Sequence, residues 1–148
     1  FEGELAIVIK SLAKDVSASD APQVILGYTI ANDATARDAM TGGPWSRGKS
    51  FDSACPLGPW ITVDPALDVT NLSIRSYLNG EIAQDSTTAH MIWNPFELVS
   101  YVSHQMTLLP GDVIATGAPA GAGLVQAGDR VEIEIEGIGR LTNPVVRA

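Results

Sequence analysis

One cysteine, two histidines and nine basic residues are all that this 148-residue chain holds of those types, and each shortage closes off a class of function. A lone Cys55 excludes an internal disulfide and fits a reducing compartment, so a cytoplasmic protein is expected. His90 and His104 are too few for a typical zinc site. Nine Lys and Arg against seventeen Asp and Glu leave a net charge of −8. A nucleic-acid surface needs a basic patch, so no nucleic-acid partner is expected. No apolar run approaches the ~20 residues that span a bilayer, so no membrane partner is expected either. No signal peptide is visible. No internal repeat and no low-complexity linker divides the chain, and its length suits one domain, residues 1–148, with a real core.

What is present reads mostly as strands. Glu4 to Lys10 is an apolar run of strand type, and Gly27 to Asn32 another. Between them, Ser17–Ile25 is a helix candidate, with Ser19 or Asp20 as N-cap and Pro22 in the first turn. Asp33–Met40 is a polar loop or short helix, and Thr41-Gly42-Gly43-Pro44 breaks regular structure. Trp60–Val63 is strand-like. Leu72–Leu78 and Glu81–Ser86 flank Asn79-Gly80, the strongest short hairpin signal. Asn94-Pro95-Phe96-Glu97 opens the best helix: Asn94 caps, Pro95 takes the first position and Glu97 completes a capping box. Phe96, Val99, Val102 and Met106 recur at helical spacing and should face the core. Leu109-Pro110-Gly111-Asp112 closes the segment. Val113–Thr116 and Arg130–Glu136 are further strands, the latter alternating Val131, Ile133 and Ile135 with charges. About seven or eight mostly consecutive strands with two or three helices give an α+β, mainly β fold.

The acids near the start are the candidate site. Glu2 and Glu4 sit at i and i+2 of the first strand and so project from one face. Two carboxylates that close repel, and each raises the other's pKa, unless a cation lies between them. Asp33 could complete an oxygen-rich site for a hard ion such as Mg²⁺ or Mn²⁺. Solvated surface charge is the competing explanation. Lys49 by itself is an ordinary surface lysine, Arg37 and Asp38 a local ion pair, and Cys55 a small buried apolar residue. His90 and His104 read as structural or exposed.

Several blocks then resemble one family in the same order: Glu-x-Glu heading a strand, GYTIANDATARD, RGKSFDSACPLGPW, LNGEIAQDS, LLPGDVIATGAPAGAG and GDRVEIEIEGIG. They are similar to the fumarylacetoacetate hydrolase family, from residue 2 to about residue 145, and blocks in matching order are more specific than any one alone. The resemblance implies a mixed β-sandwich roll assembled as a homodimer. It implies one Mg²⁺ or Mn²⁺ held by Glu2, Glu4 and Asp33, with Lys49 as the active-site lysine and Arg37 orienting the carboxylates. Thr116 and Gly117 would offer a hydroxyl and backbone N–H groups to a substrate carboxylate. Members hydrolyse C–C bonds in acylpyruvates and other β-diketo acids, decarboxylate oxaloacetate-like acids, or isomerise dienoates such as 2-hydroxyhepta-2,4-diene-1,7-dioate. The expected partner is therefore a small 2-oxo acid.

Two positions depart from the family's pattern. Met40 stands where many members carry a glutamine that reaches substrate, and Ala118 where threonine is usual. Both exchange a polar group for an apolar one, which favours small or apolar-tailed oxo acids, and so C–C hydrolysis or decarboxylation, over long diacids. Members also carry a lid segment, with a Glu–His pair, ahead of the Glu-x-Glu strand. Its absence here makes a piece of a longer chain the expectation. A non-catalytic scaffold that keeps the fold is the reading from another class.

Overall fold

The computed structural model describes residues 1–147. The chain runs β1 (Gly3–Ile9), α1 (Ala21–Val24), β2 (Ile25–Asn32), α2 (Ser46–Lys49), β3 (Leu57–Thr62), β4 (Ser73–Leu78), β5 (Glu81–Thr87), α3 (Pro95–Gln105), β6 (Val113–Ala115), β7 (Arg130–Ile135) and β8 (Gly139–Pro144). Short 3₁₀ turns lie at Arg37–Met40 and Thr88–His90. The strands form two four-stranded sheets, ordered β3-β2-β1-β6 and β5-β4-β7-β8, and each of these pairings is antiparallel. The expected α+β, mainly β sandwich is the observed one.

Two apolar clusters hold it. The first lies between the sheets: Leu5 and Ile30 meet Ile74, Val131, Ile133 and Ile135, joined by Phe1 and Leu141. The alternation in Arg130–Ile135 supplies the second sheet's share, since every other residue of a strand shares a face. The second cluster joins Ile7, Ile9, Ile25 and Ile114 of the first sheet to Val99 of α3, with Ala13, Ala21 and Leu108. So β1 is buried along its whole length, and whatever its leading end carries is held rigidly.

The strongest local signals in the sequence are met. Asn94 Oδ1 accepts from the Phe96 and Glu97 N–H groups, and Glu97 Oε2 accepts from Asn94 N–H at 2.8 Å, which completes the capping box. Asn79 and Gly80 take the positive φ values that a tight two-residue hairpin turn requires.

Other readings are corrected. Helix Ser17–Ile25 shrinks to one turn, Ala21–Val24, because the Ser17 hydroxyl binds Asp20 and folds residues 17–20 into a turn. Ile25 is already strand. Met106 does not face the core: it is extended at the C-cap and 60% exposed, so the helical spacing stops one residue short of it. β3 begins at Leu57 rather than Trp60. β8 was invisible, because Gly139 and Pro144 bound it and only Leu141 is buried. Ile133 is fully buried between the sheets. Ile133→Ala should lower stability by about 2–5 kcal/mol in urea unfolding followed by circular dichroism. A loss below about 1 kcal/mol would place the core elsewhere.

Candidate metal centre and adjoining cavity

Strand register assembles the acidic cluster. β1 and β2 pair Gly3 with Asn32, and the Asp33 N–H donates to Glu2 O at 2.9 Å, which extends the pairing by one residue. Residues directly opposite in an antiparallel pair share a face. Asp33 therefore lies beside Glu2, and Glu4 follows two residues along. One carboxylate oxygen from each of Glu2, Glu4 and Asp33 lies within 4.8 Å of the other two. The sequence brought the same three residues together.

Their surroundings differ. Glu4 is 3% exposed, and its Oε2 accepts from Gly117 N–H at 2.8 Å. Desolvation pushes its pKa up to about 7; the Gly117 bond opposes this, and the Asp33 and Glu2 charges add to it. Glu2 is partly buried and is paired with Arg37 at 2.8 Å and with Lys49 at 2.9 Å. Arg37 thus holds a carboxylate, and the Arg37–Asp38 pair is replaced by this longer-range contact. Lys49 Nζ also donates to Asp33 Oδ2. Partial burial works against the lysine's charge, but the bonds to Asp33 and Glu2 outweigh it and raise its pKa. Three converging carboxylates face two cationic side chains, and the buried one has only a neutral N–H for company. Such a cluster of hard oxygen donors with charge to spare fits a hard divalent cation.

Lys49 arrives on the one-turn helix α2, which is seated by packing. The Ala36 N–H donates to Gly48 O at 2.9 Å, and the bare Cα of Gly48 lies against Met40, where a Cβ would collide with the methionine side chain. Met40, expected to contact substrate, packs against Gly48, the residue that precedes Lys49. Cys55 corrects a second expectation. It is exposed rather than buried, and its thiol is held above its ordinary pKa, first by partial desolvation and then by the Asp33 and Glu4 charges.

A cavity of about 550 Å³ opens beside Glu4, with Thr116, Gly117 and Ala118 in its wall. Most of the remaining lining is apolar, from residues such as Ile74, Met91, Trp93 and Leu98. Neither hydrogen expected for a substrate carboxylate is free here. The Thr116 hydroxyl donates to Leu5 O at 2.8 Å and the Gly117 N–H to Glu4. Thr116 presents oxygen lone pairs, and Gly117 serves the carboxylate cluster. His90 is the one ionisable side chain in the lining, with Ser86 Oγ 3.4 Å from its Nδ1. Sequence reading passed over it, because the fold alone carries it from the end of β5 to this wall.

The raised pKa of Glu4 has a sign that can be checked. In metal-free protein, folded Glu4 keeps its proton up to about pH 7, whereas the unfolded chain releases it near 4.5. The folded state binds more protons in that window, so this contribution to stability is full below about pH 4.5 and is lost as pH rises through about 7. With chelator present, the urea midpoint of the parent should fall relative to that of Glu4→Gln as pH climbs through the window. Parallel curves would mean that the carboxyl is not desolvated.

Known proteins share the fold. The family described as fumarylacetoacetate (FAA) hydrolase, C-terminal, matches residues 1–146. A crystal structure of 2-hydroxyhepta-2,4-diene-1,7-dioate isomerase from Mycobacterium marinum superposes with a TM-score of 0.96 at 53% identity, over 99% of this chain and 58% of that one. A fumarylpyruvate hydrolase from Pseudomonas aeruginosa, in complex with Mn²⁺ and pyruvate, gives 0.93 at 34% identity, over 99% of this chain and 65% of that one. The 4-hydroxyphenylacetate degradation bifunctional isomerase/decarboxylase of Salmonella dublin is 45% identical over 99% of this chain and 35% of its own length. The chain spans less than two thirds of each of these proteins. Structures named as an isomerase and as a hydrolase thus share one sandwich, and this chain belongs to the fumarylacetoacetate hydrolase family.

Proposed function

We propose that the protein is a divalent-metal-dependent enzyme of small 2-oxo acids that works by stabilising an enolate. The observation that carries this is the convergence of Glu2, Glu4 and Asp33 within 4.8 Å, next to Lys49 and an apolar cavity. Mn²⁺ and pyruvate in the named structure of the hydrolase relative support it. Glu2, Glu4 and Asp33 would hold the ion, and Mg²⁺ or Mn²⁺ there supplies a Lewis acid for the carboxylate and 2-oxo oxygens of a substrate.

The chain's own groups do the rest. Gly117 N–H fixes Glu4, and Arg37 fixes Glu2, so the carboxylates are aimed before anything binds. Lys49, freed from Glu2 and Asp33, can donate to the substrate oxygen on which negative charge develops. Thr116 Oγ1 can accept a hydrogen bond at the cavity wall. The apolar side chains Ile74, Met91, Trp93 and Leu98 exclude water around the substrate's tail.

Ala118 lines the cavity, so of the two apolar replacements it is the one that supports the preference among substrates, while Met40 packs against Gly48. We favour C–C hydrolysis of acylpyruvates or decarboxylation of oxaloacetate-like acids. The second reading is isomerisation of a seven-carbon dienedioate, favoured by the Ser86–His90 pair in the wall, which could receive a far carboxylate, and by the 53% identity to the isomerase.

Two tests follow. Glu4→Ala and Asp33→Ala should each abolish Mn²⁺ binding measured by paramagnetic resonance, along with activity. Lys49→Ala should bind Mn²⁺ at least as tightly as the parent, since a competing cation is gone, while kcat falls on the order of 10²-fold or more. Unchanged kcat with a raised KM would reduce Lys49 to a binding clamp. Acetylpyruvate, oxaloacetate and the dienedioate should then be compared with Mg²⁺ and with Mn²⁺. A kcat/KM tenfold higher for the dienedioate, about 1.4 kcal/mol of transition-state stabilisation, would decide for the isomerase.

A further inference from the structure

Gln84 on β5 is completely buried, an unusual place for a primary amide. It stands opposite Ser76 of β4 and points between the sheets towards β1. Burying an amide is costly unless its groups find partners, and both ends of this one do. Gln84 Oε1 accepts from Gly3 N–H at 3.1 Å, and Nε2 donates to Pro119 O at 2.7 Å.

Both partners belong to the candidate site. Gly3 separates Glu2 from Glu4. The ladder between β1 and β6 ends at Ala6–Ala115, with one further bond from Thr116 N–H to Leu5 O. Beyond it, among the described residues, no strand pairs with that side of β1, and Gln84 supplies the acceptor that Gly3 N–H would otherwise lack. Only glycine allows so close an approach. A Cβ at position 3 would run into Ser76 Oγ and lie 3.2 Å from Gln84 Oε1. Pro119 lies two residues after Gly117, whose N–H holds Glu4, and both line the cavity.

We infer that Gln84 is a positioning residue: one buried amide ties the Glu2–Gly3–Glu4 segment to the Gly117–Pro119 wall and so sets the carboxylates and the cavity in a single geometry. The inference rests on the metal reading above. Gln84 touches neither ion nor substrate and acts through the two backbone groups that it holds.

Mn²⁺ alone is the probe, titrated into each purified variant and followed by paramagnetic resonance, with circular dichroism to confirm folding. Gln84→Met keeps the side chain's length but loses both bonds, so its Kd for Mn²⁺ should rise tenfold or more and the bound-Mn²⁺ line shape should change. Gln84→Glu, protonated in so apolar a place, can still accept from Gly3 and donate to Pro119, and its Kd should stay within threefold of the parent's. Ser103→Ala removes a buried hydroxyl from α3, remote from the site, and serves as a control for destabilisation alone; its Kd should not move. If Gln84→Met does not fold, Gln84→Asn replaces it, with an amide too short to bridge both groups and the same tenfold loss expected. A folded Met or Asn variant with Kd within threefold of the parent's overturns the inference. So does an equal loss in Ser103→Ala, or a loss in Gln84→Glu as large as in Gln84→Met. A parent that binds no Mn²⁺ overturns the metal reading itself, and this inference with it.

Discussion

Three carboxylates within 4.8 Å of one another set the terms for everything around them. Like charges at that distance must be neutralised, bonded or shared with a cation. Each of the three meets the demand differently. Glu4 is desolvated and carries a pKa of about 7, Glu2 takes both Arg37 and Lys49, and Asp33 takes Lys49. The burial of β1 on both faces is the other side of this. A strand packed against the second sheet at one end and α3 at the other cannot relax to let the acids drift apart.

The site joins two kinds of support. The carboxylates sit on paired strands, where one register fixes Glu2 against Asp33. The lysine sits on a four-residue helix set down by a methionine and one backbone bond from Ala36. The cavity wall, Thr116–Ala120, runs on from β6 and is held by hydrogen bonds to Leu5, Glu4 and Gln84. Acids, lysine and wall thus come from four stretches of the chain, at Glu2–Glu4, Asp33, Lys49 and Thr116–Ala120.

How much of this the sequence disclosed depended on the range of the forces involved. The capping box at Asn94, the Asn79-Gly80 turn and the alternation at Val131–Ile135 are local patterns with one physical solution, and they were legible. Glu2 and Glu4 were legible as a same-face pair. Asp33 was legible as a possible third carboxylate, but its place beside Glu2 follows from strand pairing. The misreadings have the same origin. The packing of Met40 against Gly48, eight positions on, was not legible either. Cys55 is exposed although Ala54 beside it is buried. Gln84 in LNGEIAQDS is an unremarkable polar residue of a strand until Gly3 and Pro119 are brought to it. β8 carried too little apolar sequence to announce itself.

The arm from Ala36 to Lys49 has a further consequence. It is built of a 3₁₀ turn and one helical turn, mostly exposed, with few backbone bonds to the sheets. Protein regions open with free energies that follow their local burial and bonding, from near zero in exposed loops to the global value in core strands. Lys49 therefore belongs to a unit that can detach and reseat while the β1–β2 ladder stays closed. Amides of this arm would exchange with solvent far sooner than those of Leu5 or Ile30, and the lysine can swing off Glu2 and Asp33 without any part of the sandwich unfolding.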